Sequence, residues 1–394
     1  MSSSMQDVVV VSAVRTPIAA FRSSFADVSL KQLGTTVVSE AIKRAGIRPE
    51  DVEEVIAGCV LPAGHGQNIA RQVSIAAGIP VSAPAMTINK VCSSGLKAIM
   101  LAAESLTVSD HRVIVAAGME SMSQAPFFLD RGDTPYGGLK LIDSILKDGL
   151  TDAMRDEPMG LCAEKTAEDY NLSRADQDAF AIESYRRVAN AWQSGVFADE
   201  IVPVTVKPKR GAEYVVKEDE EYKKLNEAKM PTLQPAFRKD GKGTITAGNA
   251  SSLNDGAAAL VLMTASRAAE LNLRPLAKII AFAEAGTAPV DFSIAPSLAI
   301  PKALKRANLT KDDVDLWEIN EAFSATGLAN IKELGLDHSK VNIHGGAVAL
   351  GHPIGMSGAR IVVHLVHVLK PGQKGVAAVC NGGGEATALV IEKL

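Results

Sequence analysis

The chain has 394 residues, 47% apolar but only 4% aromatic, with 32 Gly and a formal net charge of −4 from 41 Lys plus Arg against 45 Asp plus Glu. That length can bury a substantial core and accommodates two or three domains at about 150 residues each, while the near balance of charge leaves no basic footprint for a nucleic-acid backbone. The four cysteines (Cys59, Cys92, Cys162, Cys380) lie far apart without a Cys-x-x-Cys pair, so a disulfide scaffold and a zinc finger are excluded and free thiols are expected.

In chain order, seven residues precede the first apolar run, too few for the apolar segment of a signal peptide. No run approaches 18 consecutive apolar residues, because the greasiest helices carry Lys97, Glu104, His364 and His367. The expectation is a cytoplasmic chain, or alternatively a processed mitochondrial form, with no membrane span. Strands are predicted over 8–13, 52–58 and 113–117, with helices over 31–45 and 92–106, a strand–helix alternation that implies parallel βαβ units and right-handed crossovers. Residues 202–243 mix Lys207-Pro208-Lys209-Arg210, Lys217-Glu218-Asp219-Glu220-Glu221, Pro231 and Pro235, and read as an exposed, partly irregular segment whose charge run is solvated.

An internal repeat organises the chain. Lys43-Arg44-Ala45-Gly46 through Asp51-Val52-Glu53 reappears as Lys305-Arg306-Ala307-Asn308 through Asp313-Val314-Asp315, Lys43 matching Lys305 at an offset of 262. Ser94-Gly95-Leu96-Lys97 falls over Ser357-Gly358-Ala359-Arg360, and the strand at 113–117 over 376–380, each at an offset of 263. In the second copy a turn at Gly382-Gly383-Gly384 leads straight into a strand over 386–391. Its counterpart in the first copy, 257–263, arrives only after a long detour that ends at Asn254-Asp255-Gly256. Three units are therefore expected: an N-terminal half of 1–120 plus 248–274, an inserted loop lobe of 121–247, and a C-terminal half of 275–394. A lobe over two α/β halves suits a long ligand; oligomer contacts are its alternative use.

Chemistry gathers where the halves meet. Asn89-Lys90-Val91-Cys92-Ser93-Ser94-Gly95 runs into a helical apolar period, placing Cys92 at or near a first turn, where free N–H groups and the macrodipole would lower its thiol from about 8.5 into the physiological range. A cysteine there can equally be a small packing residue, but the small neighbours of Cys92 leave room for a substrate. His352 lies just before the equivalent helix, with Gly355 overlaying Cys92, so the twofold relation of the halves brings an imidazole to the thiol. Cys380 opens Asn381-Gly382-Gly383-Gly384, a turn whose N–H groups can face an oxyanion. His364 and His367 share a helix face without acidic or cysteine partners nearby in sequence and read as solvated rather than as zinc ligands. No P-loop or dinucleotide glycine fingerprint follows a strand.

Val91-Cys92-Ser93-Ser94-Gly95, Asn320-Glu321-Ala322-Phe323, the block from Gly351-His352-Pro353 to Gly358-Ala359-Arg360, and Cys380-Asn381-Gly382-Gly383-Gly384 together resemble the signature blocks of the thiolase family, in order, with Ala247-Gly248-Asn249-Ala250-Ser251 as a fifth match. The resemblance covers nearly the whole chain. It implies the thiolase fold: an α/β protein of two homologous βαβαβ-type halves in a layered α/β/α/β/α core with an inserted loop lobe. It also implies a reversible condensation of two acetyl-CoA to acetoacetyl-CoA plus CoA, with no covalently bound cofactor. In the family, Cys92 takes the acetyl group, His352 activates it, and Cys380 exchanges the α-proton. N–H groups of Cys92 and Gly382 hold the acyl-transfer oxyanion, while His352 and a water held by Asn320 receive the enolate oxygen. Ser251 and Phe237 would lie along the pantetheine arm, and Met159 and Phe323 would line the acyl pocket.

Tyr136-Gly137-Gly138-Leu139-Lys140 and the strand from Asn254 look most like the potassium-activated acetoacetyl-CoA thiolases, whose ion would here be ringed by Tyr185, Ala247, Gly248, Ala250 and Val348. Tyr185 can also be ordinary core. A segment around Gln124 to Asp143 resembles the family's tetramerisation loop and implies a homotetramer, a dimer of dimers. Two departures stand out. Pro158 precedes Met159-Gly160 where short-chain members often carry His, as in several 3-ketoacyl-CoA thiolases of longer chain length. Glu385 follows the glycine turn where many relatives have another Gly. Ketoacyl synthases (Cys, His, His) and hydroxymethylglutaryl-CoA synthases (Glu, Cys, His) share the fold, but Cys380 in its turn argues against both. A non-catalytic CoA-binding scaffold would be expected to have lost the nucleophile or the base, and both are present.

Overall fold

The computed structural model describes residues 7–132 and 136–394. The first half runs β1 (Val8–Arg15), a short β2 (Ala19–Ala20), α1 (Leu30–Ala45), β3 (Glu54–Gly58), α2 (Ile69–Ala76), β4 (Ala85–Ile88), α3 (Ser94–Val108) and β5 (Val113–Ser121). A long excursion carrying α4 (Met159–Asp169) and α5 (Arg174–Gln193) follows, and the chain returns as β6 (Asn254–Thr264) and α6 (Ala265–Glu270). The second half is β7 (Ala277–Gly286), α7 (Ala295–Ala307), β8 (Leu316–Ile319), α8 (Ser324–Leu334), α9 (Ala347–Leu350), α10 (Ile354–Val368), β9 (Lys374–Asn381) and β10 (Glu385–Lys393).

Strand order shows the duplication. One sheet runs β3-β5-β6-β1 and the other β8-β9-β10-β7, with β4 added at the outer edge of the first. Each begins with a parallel pair, β3 with β5 and β8 with β9, and continues antiparallel. Among the described residues the two sheets join at Val9 opposite Lys278 and Val10 opposite Ala277. Although 132 residues intervene between Ser121 and Asn254 in the chain, β5 and β6 pair from Asp255–Ser121 to Met263–Val113.

Burial stacks the layers. Leu33, Val37 and Val38 of α1 cover the outer face of the first sheet at Val55, Val115 and Val261. Ala299, Ile300 and Ala303 of α7 cover the second at Ala283, Val376 and Val390. Between the sheets, α3 and α10 bury Leu96, Ile99, Ile361 and Leu365 against Ile114 and Leu260 on one side and Ala377, Val379 and Leu389 on the other. The result is the α/β/α/β/α sandwich. The stretch Val91–Val108 is apolar enough to reach a mean hydropathy of 1.3 because it is sandwiched on both sides, as buried helices are. Within their first turns α3 and α10 meet backbone to backbone: a Cβ on Gly95 would stand 2.7 Å from the Ala359 nitrogen, and one on Gly358 would stand 2.5 Å from that of Leu96. Packing this close is what a glycine-rich, aromatic-poor interior allows.

Two expectations need correction. The charge run at 217–221 is not wholly solvated: Asp219 and Glu221 are buried. Asp219 accepts both terminal nitrogens of the fully buried Arg15 (2.8 and 3.0 Å), the Ile18 amide (2.7 Å) and the Trp192 indole (3.1 Å). Nor does His364 face water. It is buried, with Nδ1 2.8 Å from Glu200, Nε2 3.0 Å from His344, and Glu200 also held by Arg15 at 2.6 Å. A guanidinium in the interior requires carboxylates around it, and these come from far along the chain, so a local window could not show the pairing.

Candidate active site

Cys92 stands one residue before Ser93, the N-cap of α3, so the helix starts two residues later than expected. Val91 ahead of it has φ +47, an outlying conformation for a β-branched residue and a form of strain that clusters at reactive sites. The turn is held by the Asn89 side chain accepting from the Val91 amide (2.9 Å), and by Ser94 Oγ accepting from the Lys90 amide (2.8 Å) while donating to the Val91 carbonyl (2.7 Å). Glu385, the departure in the second half, ion-pairs with Lys90 at 2.7 Å and ties this turn to the start of β10.

The thiol itself corrects the expectation of a thiolate. Burial pushes Cys92 up to about 12 and Glu120 raises it further, against the lowering pull of the backbone at Gly382 and at Cys92 itself. Helix-end stabilisation acts within the first turn and loses to desolvation here. Cys380, within β9 rather than after it, is fully buried, and its thiol too is pushed up, first by burial and then by Cys92. It packs with Met159, Cys162, Phe292 and Ala322.

His352 carries a nitrogen free to accept a proton. Its Nδ1 lies 2.6 Å from Ser357 Oγ, whose hydroxyl donates to the Pro353 carbonyl (3.0 Å). The serine lone pair therefore takes the Nδ1 proton, and Nε2 is left as a bare acceptor. That nitrogen is buried and has no protein partner. Burial, reinforced by Arg360, lowers His352 to about 4, so it is neutral at physiological pH.

Cys92, His352 and Gly382 line one cavity of about 810 Å³, with Met159, Phe237, Phe323, Ala250 and Ser251 along its walls, while Cys380 is outside the lining, packed against the wall residues Met159 and Phe292. Phe323 is edge-on to both Phe237 and Phe292, and Phe237 lies over Gly160, where a Cβ would overlap its ring. Ser251 donates its hydroxyl to the Ala322 carbonyl at 2.8 Å. Asn320 follows β8, is fully buried, and both of its amide atoms lack a protein partner. The five residues of the candidate cation ring lie apart from this cavity except for Ala250. Tyr185 on α5 is nearly buried and is pushed up to about 12 by burial and then by Glu221. Helix α9, bearing Val348, packs on α5, and Asn249, inside the Ala247–Ala250 turn, is anchored to α5 by its bond to Asp178 (2.9 Å).

The chain matches the family models described as "Thiolase, N-terminal domain" over residues 8–266 and "Thiolase, C-terminal domain" over 273–393. The chain belongs to the thiolase family. It is 56% identical to the mitochondrial acetyl-CoA acetyltransferase of Mus musculus over 390 residues, covering 99% of this chain and 92% of that one. The Danio rerio protein of the same name is 57% identical over 391 residues, covering 99% and 93%. Among solved structures, Acat5 thiolase from Ascaris suum in complex with coenzyme A superposes with a TM-score of 0.96 at 56% identity, covering 99% of this chain and 100% of that one. The acetyl-CoA acetyltransferase of Bacillus anthracis does so with 0.96 at 43%, covering both chains fully.

Three groups at this thiolase site went unread in the sequence. Ser357 sits five residues after His352 in the same block, a spacing that on a helix start points back at the ring. Phe292 comes from a 3-10 turn with no motif. Glu120, at the end of β5, is fully buried and raised by burial to about 7. It accepts from the amides of Val60 (2.9 Å), Leu61 (3.1 Å) and Gly355 (2.9 Å), pinning the start of α10.

Proposed function

We propose that this chain is an acetyl-CoA C-acetyltransferase, condensing two acetyl-CoA to acetoacetyl-CoA plus CoA, and the reverse, through an acetyl thioester on Cys92. The observation that carries the reading is that Cys92, the backbone of Gly382 and the buried, unpartnered Nε2 of His352 line one cavity. As the Cys92 sulfur attacks the thioester carbonyl, its proton passes to Nε2. The tetrahedral oxyanion is received by the N–H groups of Cys92 and Gly382. Collapse releases the CoA sulfur, which takes the proton of Cys380. The enzyme is then acetylated, with His352 carrying a proton on Nε2 and Cys380 a thiolate. That thiolate removes the α-proton of the second acetyl-CoA, and the enolate oxygen meets Nε2–H and the Asn320 site, whose unpaired buried amide supports that part. The enolate carbon attacks the acetyl group, and the departing Cys92 thiolate recovers its proton from His352. Two raised thiols and a depressed imidazole make a resting state without ion pairs, so charge develops only when substrate is present to use it.

Further parts belong to the same reading. The division into 1–120 plus 248–274, 121–247 and 275–394 is supported by the full-length pairing of β5 with β6 across the long excursion. A potassium ion would be held by the Tyr185 hydroxyl and the carbonyls of Ala247, Gly248, Ala250 and Val348. Neutral oxygens beside one buried carboxylate, Glu221, suit a weakly polarising monovalent cation, which would brace the lobe against α9. A homotetramer is supported by the exposed Phe127, Leu129, Tyr136, Leu139 and Leu141 in the segment from Gln124 to Asp143, of which residues 133–135 lie outside the described residues. The relatives' names favour the mitochondrial alternative over the cytoplasmic expectation for compartment.

A short acyl group is favoured because Met159, Phe292 and Phe323 stand close around Cys380. Pro158 in the cavity wall favours a second reading, a 3-ketoacyl-CoA thiolase of longer chain length. Thiolysis rates for acetoacetyl-CoA and 3-ketooctanoyl-CoA, each in potassium and in sodium salt, separate the two. Faster cleavage of acetoacetyl-CoA, enhanced by potassium, is expected; a preference for the longer substrate overturns the assignment.

A further inference from the structure

Asn254, the first residue of β6, is fully buried and makes four bonds that join three parts of the molecule. Its Oδ1 accepts from the backbone amide of His352 at 2.9 Å and from Ser252 Oγ at 2.9 Å. Its Nδ2 donates to the Ala19 carbonyl at 3.1 Å and to Glu221 Oε1 at 3.4 Å. The side-chain amide lies flat against Gly351, whose φ of +99 and lack of a Cβ let the loop pass; a Cβ there would overlap the amide. Glu221 is itself buried and neutralised by Lys224 at 2.8 Å.

An imidazole ring has its position fixed at two ends. Ser357 sets the rotation of His352 through Nδ1, but the ring hangs from the loop between α9 and α10: the Gly351 N–H still closes α9 on the Ala347 carbonyl (2.8 Å), whereas the His352 N–H lies past that helix and donates to the Asn254 side chain. Asn254 is the group that holds that amide. We propose that Asn254 is a positioning residue that fixes the His352 backbone relative to Cys92 and couples it to the lobe through Glu221. The proposal rests on the reading of His352 as the base. Seating of the lobe against β6 is thereby felt at Nε2.

The test uses full-length enzyme in saturating KCl, with thiolysis of acetoacetyl-CoA and the rate of Cys92 alkylation by iodoacetamide as readouts. Asn254→Ala is expected to lower kcat by about tenfold or more, with KM within about twofold and alkylation slowed in parallel. Asn254→Asp keeps the acceptor for the His352 amide but sets a carboxylate against Glu221. In Asn254→Asp combined with Glu221→Gln, the glutamine N–H donates to the new carboxylate, so the same bond is rebuilt with its polarity reversed. Recovery of kcat by about fivefold over Asn254→Asp alone is expected, a rescue that simple loss of stability would not give. Parental kcat in Asn254→Ala overturns the positioning role, and a double variant no faster than Asn254→Asp overturns the coupling. If Asn254→Ala fails to accumulate folded protein, the aspartate pair still decides. His352→Ala, run alongside, separates the two levels: parental turnover in that variant sinks the reading of the base itself, whereas its inactivity beside a fully active Asn254→Ala sinks only the positioning.

Discussion

The starts of α3 and α10 occupy equivalent places in the two halves and have been put to opposite uses. Each lies between the two sheets and leads into a strand of its own half, both open on small residues, and they cross at Gly95 and Gly358. One presents Cys92 on a strained Val91 turn; the other presents Gly355 at the overlaid position and carries its reactive group three residues earlier, at His352. The strands that follow them show the same divergence. After β9 a three-glycine turn sets Gly382 in the wall of the cavity that Cys92 lines, whereas after β5 the chain leaves for the lobe. Duplication supplied a rigid frame with two helix starts facing each other, and the chemistry lies where the copies stopped being alike.

The difference can be broken at either helix start. Cys92→Ala removes the nucleophile and is expected to lower thiolysis and condensation alike by about 10⁴-fold or more, since residues acting as a unit fail together; turnover of acetoacetyl-CoA checks it. Ser357→Ala leaves His352 present but frees its Nδ1, and a fall in kcat of about tenfold is expected, comparable to losing an orienting partner elsewhere. The parent's pH profile sharpens the same point. His352 is lowered to about 4, so it stays neutral and able to accept a proton as pH falls from 7, and its acid limb in kcat/KM belongs near pH 4. A limb near the ordinary imidazole value of about 6.5 would show the ring to be less buried than described. The smallest effect belongs to the wall: Gly160→Ala pushes the Phe237 ring aside, with KM for CoA thioesters expected to rise a few-fold and stability to fall by about 1–3 kcal/mol in thermal unfolding.

Much of the frame was legible because it is periodic and repeated: matched segments at offsets of 262 and 263 mark β3, β5, β8 and β9, and the excursion shows as the detour between β5 and β6. Cys92, Cys380 and His352 were legible as candidates because glycines and small residues cluster around them. What stayed hidden was set by partners distant in sequence or by desolvation. Asp219 looks like one member of a solvated run until Arg15 is seen beside it, His364 looks exposed until Glu200 is, and the Cys92 thiol looks activated until its burial is weighed against two N–H groups. Glu120 and Asn254 act on backbone amides, which carry no sequence signature at all.

The division of labour between the two cysteines is the center of this account, and one measurement addresses it directly. Cys380→Ala is mixed with acetyl-CoA alone, quenched, and mapped by mass spectrometry of its peptides. Acetylation of Cys92 without net formation of acetoacetyl-CoA is the expected result, since the nucleophile and His352 remain while the group that exchanges the α-proton is gone. An unacetylated Cys92, or acetoacetyl-CoA formed at the parental rate, would contradict it.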